Sequence, residues 1–155
     1  MAGMIDKPKS SFFLDTSALL KRYIPEDGTG FIDDLFAKGT IHISSLTLTE
    51  AVSVFRRLME VKGLIKEEDF LALKARLLAD AAEGVFEVVT VAMPAIITSI
   101  DLISLRYLTP VDALILAAAV ELKRSINSLC FVSFDLKLRG VAGLYLPVLN
   151  PSDPG

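Results

Sequence analysis

Four acidic residues carry the chemistry this chain could do: Asp15, Glu50, Asp112 and Asp135, separated by 35, 62 and 23 residues. Asp15 follows the apolar run Phe12-Phe13-Leu14, and Asp135 closes Leu-Cys-Phe-Val-Ser-Phe. Both therefore sit where a buried strand would end. Glu50 and Asp112 fall in what read as first helical turns, after Ile41-His42-Ile43 and after Thr109-Pro110. In an open parallel sheet the carboxyl ends of the strands form the ligand-binding edge, so four acids so placed can converge there. Crowded carboxylates repel and raise one another's pKa unless a cation neutralises them. A hard divalent ion such as magnesium takes oxygen ligands, keeps several waters and shares its shell with phosphate. Helix capping accounts for the same residues one at a time. Thr47-Leu48-Thr49-Glu50 has the form of a capping box, Thr109-Pro110-Val111-Asp112 nearly does, and Asp15 and Asp135 suit N-caps. The two readings are compatible, because a helix N-terminus holds a carboxylate rigidly.

The elements that must position these acids alternate between β and α signals. Strands are expected at Phe12–Leu14, Ile41–Ile43, Phe86–Val91 and Leu129–Phe134, with a fifth at Tyr145–Leu149. Helices are expected over Ser17–Ile24, Thr29–Lys38, Thr47–Lys62, a segment around Phe70–Leu78 ending at Gly84, Met93–Leu108 and Thr109–Arg124. Gly39 and Gly63 serve as stops. This alternation predicts an α/β/α sandwich around a mainly parallel central sheet of four to five strands. With 155 residues, no internal repeat and no linker, residues 1–155 read as one domain. The first three and the last few residues are expected to be disordered.

Composition narrows the class. Hydrophobic residues make up 52%, and the mean hydropathy is +0.53. A membrane span needs about 18 consecutive apolar residues, whereas Ala113–Val120 is bracketed by Asp112 and Glu121. No membrane helix is expected, so the apolar surplus points to a large core and a partner interface. The N-terminus lacks the apolar middle of a secretory signal, and one cysteine, Cys130, fits a reducing cytoplasm. A single histidine, His42, leaves little for a zinc site. Nineteen acids face sixteen bases for a net charge of −3; without the four acids above, the balance turns slightly positive. A phosphate-bearing substrate is therefore not excluded.

Four segments together resemble one family. Leu14-Asp15-Thr16-Ser17-Ala18-Leu19, Ser45-Leu46-Thr47-Leu48-Thr49-Glu50-Ala51, Pro110-Val111-Asp112-Ala113-Leu114-Ile115-Leu116-Ala117 and Phe131-Val132-Ser133-Phe134-Asp135-Leu136-Lys137-Leu138 are similar, in order, to the motifs of PIN domains. The match spans about residues 12–148. Length and wording look most like the VapC toxins of toxin–antitoxin pairs. The resemblance implies a Mg2+- or Mn2+-dependent endoribonuclease, usually a homodimer, held inactive by a cognate antitoxin. Many relatives carry a histidine shortly after the third acid, where this chain has Leu114-Ile115. The acids themselves are intact.

On that reading Asp15, Asp112 and Asp135 are metal ligands, and Glu50 ligates through water or accepts the proton of an attacking water. Thr16, Ser17 and Ser133 are candidates for hydrogen bonds to a carboxylate or phosphate, with strand-end and cap hydroxyls as the alternative. Arg57, seven residues beyond Glu50, shares its helix face and could clamp phosphate or meet an acidic partner. Lys21, Arg22, Arg56, Lys123, Lys137 and Arg139 are further basic residues near the motifs. Asp101 reads as a surface acid and Cys130 as core. The apolar surplus of the helices around Leu46–Leu64 and Phe70–Leu78 suits an antitoxin segment or a second copy. A phosphatase with an Asp-x-Asp nucleophile motif lacks its second acid, because the triplet is Asp15-Thr16-Ser17. A non-catalytic PIN-fold binding module would favour loss of an acid, and none is lost. A PIN nuclease of RNA processing without an antitoxin keeps the same chemistry.

Overall fold

The computed structural model describes residues 9–151. The expected disorder at both ends falls mainly outside these residues. Four strands, β1 (Ser10–Leu14), β2 (Gly39–Ser44), β3 (Glu87–Val89) and β4 (Leu129–Val132), form an all-parallel sheet in the order β3-β2-β1-β4. Helices α1 (Thr16–Leu20), α2 (Thr29–Lys38), α3 (Ser45–Glu60) and α4 (Glu67–Ala82) precede β3, and α5 (Met93–Leu105), α6 (Pro110–Lys123) and α7 (Leu136–Ala142) follow it.

Strand alternation sorts the core into two layers. Phe12, Leu14, Ile41, Ile43 and Val132 pack with Ala18, Leu19, Ile32, Ala51, Phe55 and Leu77 of α1 to α4. Phe13, Leu129 and Phe131 face the other way, onto Leu102, Ile115, Leu116 and Leu138 of α5 to α7. The rings of Phe13 and Phe131 stack across the strand pair at 6.2 Å. The α/β/α sandwich is thus the one expected.

Several boundaries differ from the sequence reading. The fifth strand reduces to a single bridge between Phe131 and Val148, flanked by hydrogen bonds from Phe131 N to Pro147 O and Leu149 N to Phe131 O. Pro147 has no N–H to extend the ladder. Gly39 is more than a helix stop, because it opens β2 against β1. A Cβ there would lie 2.2 Å from the Ser10 carbonyl oxygen, so only glycine allows the approach. Helix α7, not foreseen, starts directly from Asp135.

The apolar surplus is distributed more widely than expected. Val61, Leu64, Leu71 and Leu78 are exposed around α3 and α4, but so are Met93, Ile97, Ile100, Ile103 and Leu105 on α5. The sequence had pointed only to the first group. Among the described residues no helix is long and apolar enough to cross a membrane.

Candidate active site

The chain runs from β1 through β2 to β3 on one side, then returns to place β4 on the other side of β1. The sheet order therefore reverses between β1 and β4, and the crevice beyond their carboxyl ends is where such sheets bind ligands. Asp15 leaves β1 there, its backbone N–H donating to the Val132 carbonyl of β4 at 3.1 Å.

Asp15 is almost fully buried. Its Oδ1 accepts from Ser17 Oγ at 2.7 Å and from the Ala18 N–H at 3.0 Å, while Oδ2 accepts from Ser133 Oγ at 2.6 Å. The Ala18 bond makes Asp15 the N-cap of α1, so capping and the site are one arrangement. Ser133 is fully buried, and its oxygen also accepts the Asp135 N–H at 3.0 Å. Ser17 Oγ in turn accepts the Phe134 N–H at 3.0 Å. Two hydroxyls thus tie the end of β1 to the turn after β4. Asp135 caps α7 by accepting the Leu138 N–H at 3.0 Å and is exposed.

Asp112 lies in the first turn of α6, as expected, with Thr109 as N-cap accepting the Asp112 N–H at 3.3 Å. Glu50 is placed differently. Strand β2 runs straight into α3, Ser44 caps it by accepting from Leu46 N, and Thr47 is buried inside the first turn. The expected capping box at Thr47 does not form, and Glu50 falls in the second turn. Its Oε1 accepts from Thr16 Oγ1 at 2.6 Å, which links it to the residue after Asp15.

The electrostatics connect three of the four acids. Burial pushes the Asp15 carboxyl up to about 6, against the lowering effect of its three hydrogen bonds, and the charge of Asp112 adds to the rise. Asp112 is itself raised, chiefly by burial and further by Asp135, while Lys137 opposes this. Asp15, Asp112 and Asp135 therefore form one run of mutually repelling carboxylates, with Glu50 joined through Thr16.

Among the described residues no three His, Cys, Asp or Glu side chains converge into a ready-made cage. The donor set nonetheless suits magnesium or manganese, which bind through one or two carboxylates and retain waters. An ionised carboxylate offers about four acceptor positions; three on Asp15 are taken, which leaves room for one metal bond. Asp112 and Asp135 present the further oxygens.

The other candidates separate cleanly. Thr16, Ser17 and Ser133 belong to the network. Arg57 is exposed along α3 and has no hydrogen bond or ion pair with the acids. Lys21 pairs with Glu26, Arg22 with Asp33 and Arg56 with Glu60. Lys123 donates to the Asn127 carbonyl, and Arg139 has no ion pair among the described residues. Asp101 is exposed, and Cys130 is partly buried against the core. The sequence reading missed the buried hydroxyl of Thr47, 3.4 Å from that of Thr16, and it missed Tyr107, taken up below. The Ser-Ser pair before Leu46 was the available signal for an earlier helix start.

The profile of the PIN domain matches residues 12–144, and the chain belongs to that family. Solved structures with the same fold include a toxin–antitoxin complex from Klebsiella pneumoniae, 19% identical with a TM-score of 0.63 over 92% of this chain and 98% of that one. VapBC2 from Rickettsia felis, bound to a promoter DNA fragment, is 16% identical with a TM-score of 0.64, covering 90% and 98%. VapC20 from Mycobacterium tuberculosis, a toxin that cleaves the sarcin–ricin loop, is 19% identical with a TM-score of 0.60, covering 83% and 93%. No curated protein sequence matches significantly.

Proposed function

We propose that this PIN domain, spanning the chain as one unit, is a Mg2+- or Mn2+-dependent endoribonuclease and the toxin of a cytoplasmic toxin–antitoxin pair. The observation that carries this reading is the coupling of Asp15, Asp112 and Asp135 at the reversal point of the sheet. A buried carboxylate beside another acid, as Asp15 is beside Asp112, is costly to ionise unless a cation and a phosphate complete the site.

Asp15 and Asp112 would hold the metal, and Asp135 would hold a second ion or orient the first through water. When bound, the ion supplies Lewis-acid activation of the phosphate and a more acidic water. The chain's own part is to fix the ligands. Ser17 and Ser133 lock both oxygens of Asp15, so little reorganisation is needed when an ion arrives. Glu50, held by Thr16, is the group to accept the proton of the attacking water as the phosphodiester bond opens. The test is RNA cleavage by the purified protein with Mg2+ or Mn2+, against a chelator control. Cleavage that persists in chelator, or none with either metal, ends this reading.

Two surfaces suit the partners. A groove is lined by Leu48, Thr49, Val52 and Leu78, and Leu71 of α4 and Val61 at the end of α3 are also exposed. An amphipathic antitoxin segment fits there, with apolar anchors at helical spacing. An Arg it carried to the acids would displace the metal. Ile97, Ile100 and Ile103 form an exposed apolar stripe on α5, which suits a self-complementary two-fold contact with a second copy. Co-expression with the neighbouring small gene should give a complex with suppressed cleavage. A complex that remains fully active would favour a stand-alone PIN nuclease of RNA processing.

A further inference from the structure

Beside the acids lies a pair of side chains that the chemistry above does not use. Tyr107 sits in the short segment between Arg106, which ends α5, and Thr109, which caps α6. It is 83% exposed, the most exposed of the large hydrophobic side chains among the described residues. The next residue, Leu108, is buried and anchors the backbone under it. The ring is also held from one side, because Lys137 Nζ stands 4.3 Å from its centroid. Among the described residues Lys137 has no ion pair. It is the second residue of α7, two positions after Asp135, and its charge is felt at Asp112. An aromatic face open to solvent, a free ammonium and two of the acids therefore share one neighbourhood.

We propose that Tyr107 and Lys137 form the single-strand platform of the site: an unpaired RNA base stacks on the open face of Tyr107, and Lys137 contacts an adjoining phosphate. The proposal rests on the nuclease reading and deepens it, by assigning two side chains outside the acidic cluster to hold the substrate strand. Aromatic stacking is open to any base, and a nearby cation strengthens it while neutralising the backbone. A base engaged in a duplex cannot offer its face in this way. The segment leads directly into α6, so Tyr107 stands five residues before Asp112, with buried Leu108 and the Thr109 cap between them.

The experiment measures binding of an end-labelled single-stranded RNA of mixed sequence, and of the same sequence as a duplex, to the intact protein in chelator, where cleavage is off. Tyr107→Ala should weaken single-strand binding about tenfold or more and leave duplex binding unchanged. Tyr107→Phe should retain wild-type binding, because the ring suffices. Lys137→Gln should weaken binding and flatten its salt dependence by about one phosphate contact. With metal restored, Tyr107→Ala should raise KM with little change in kcat. Equal affinity of wild-type and Tyr107→Ala protein for the single strand overturns the proposal, as does equal weakening by Tyr107→Phe. A shift from dimer to monomer in Tyr107→Ala protein, with RNA binding per chain unchanged, also overturns it and assigns the ring to a second copy. Absence of any RNA binding or cleavage by the wild-type protein is a different failure, that of the nuclease reading itself.

Discussion

The two ends of the central sheet are both polar, yet they are built in opposite ways. At the carboxyl end, Asp15 is buried with three hydrogen bonds, and Ser17 and Ser133 each serve a carboxylate and a backbone N–H. At the amino end, Ser11, Thr40 and His42 line a pocket closed by Ser125, Asn127 and Ser128. There the buried Nε2 of His42 has no hydrogen-bond partner among the described residues. The first end satisfies its hydrogen bonds and leaves an excess of charge; the second has no acid cluster and leaves a hydrogen bond unmade. Like charge held in fixed geometry is what the proposed metal site rests on, whereas a single unserved imidazole is a tolerated cost of burial.

The comparison predicts its largest effect at Asp112. Asp112→Asn should reduce metal-dependent cleavage by roughly 10²-fold or more, since it removes a ligand and leaves the shape. Circular dichroism should be unchanged, because the Thr109 hydroxyl still accepts the backbone N–H of residue 112. Full activity in this variant would remove Asp112 from the site and reduce it to a helix-start acid.

A pH effect of similar size in free energy follows from Asp15. Its folded pKa of about 6 exceeds the ordinary 3.8, so the folded state holds the proton more tightly than the unfolded chain. Metal-free stability should therefore fall as pH rises from about 4 to above 6, by about 3 kcal/mol for the two-unit difference. Mg2+ should reverse the loss at neutral pH, because it binds the ionised form. Denaturant melts across that range with and without metal measure both. A metal-free profile that rises with pH would mean Asp15 ionises without penalty.

Ser133→Ala comes next. It deletes the hydroxyl that donates to Asp15 and accepts from the Asp135 N–H, so metal affinity or activity should drop by about 10- to 100-fold. Ser133→Thr should recover part of the loss if the hydroxyl alone matters. An unchanged metal titration in the alanine variant would show that Asp15 needs no support from β4.

The two ends were not equally legible in the sequence. Asp15, Asp112 and Asp135 announce themselves because acids at strand ends and first helical turns are read from local pattern, and the family motifs repeat that order. Glu50 reads onto the right helix but into the wrong turn: Thr47-x-x-Glu50 satisfies a local capping rule that Ser44, at the very end of β2, pre-empts. Helix α7 is too short to show periodicity, although its Asp135 cap was visible. The exposed stripe on α5 could not be told from core, since an apolar helix face carries no mark of what covers it. The amino-end pocket was illegible for a related reason. It joins residues 9–11, 40–42 and 125–128, and nothing in their spacing says that the chain returns to the same place.

The smallest effect, and the sharpest test of the contrast, is at His42. Burial lowers its pKa, with the charge of Glu87 opposing, so the imidazole is favoured in its neutral form in the folded state. Its contribution has the opposite sign to that of Asp15: stability is kept above the unfolded pKa near 6.5 and lost as pH falls below it. Below the unfolded imidazole pKa the two contributions oppose each other in the wild-type protein. His42→Leu removes one of them and also removes an unserved nitrogen from a face shared with Phe13 and Phe131. Removing an unmet buried polar group offsets the small loss of packing, so stability at neutral pH should stay within about 1 kcal/mol of wild type or rise. Cleavage should be unchanged, because the pocket lies at the sheet end away from the acids. In metal-free melts the variant should show the downward slope of Asp15 more steeply than the wild type does. An activity loss in His42→Leu protein with stability intact would mean that the amino end carries function after all, and the imidazole would then have a partner still to be found.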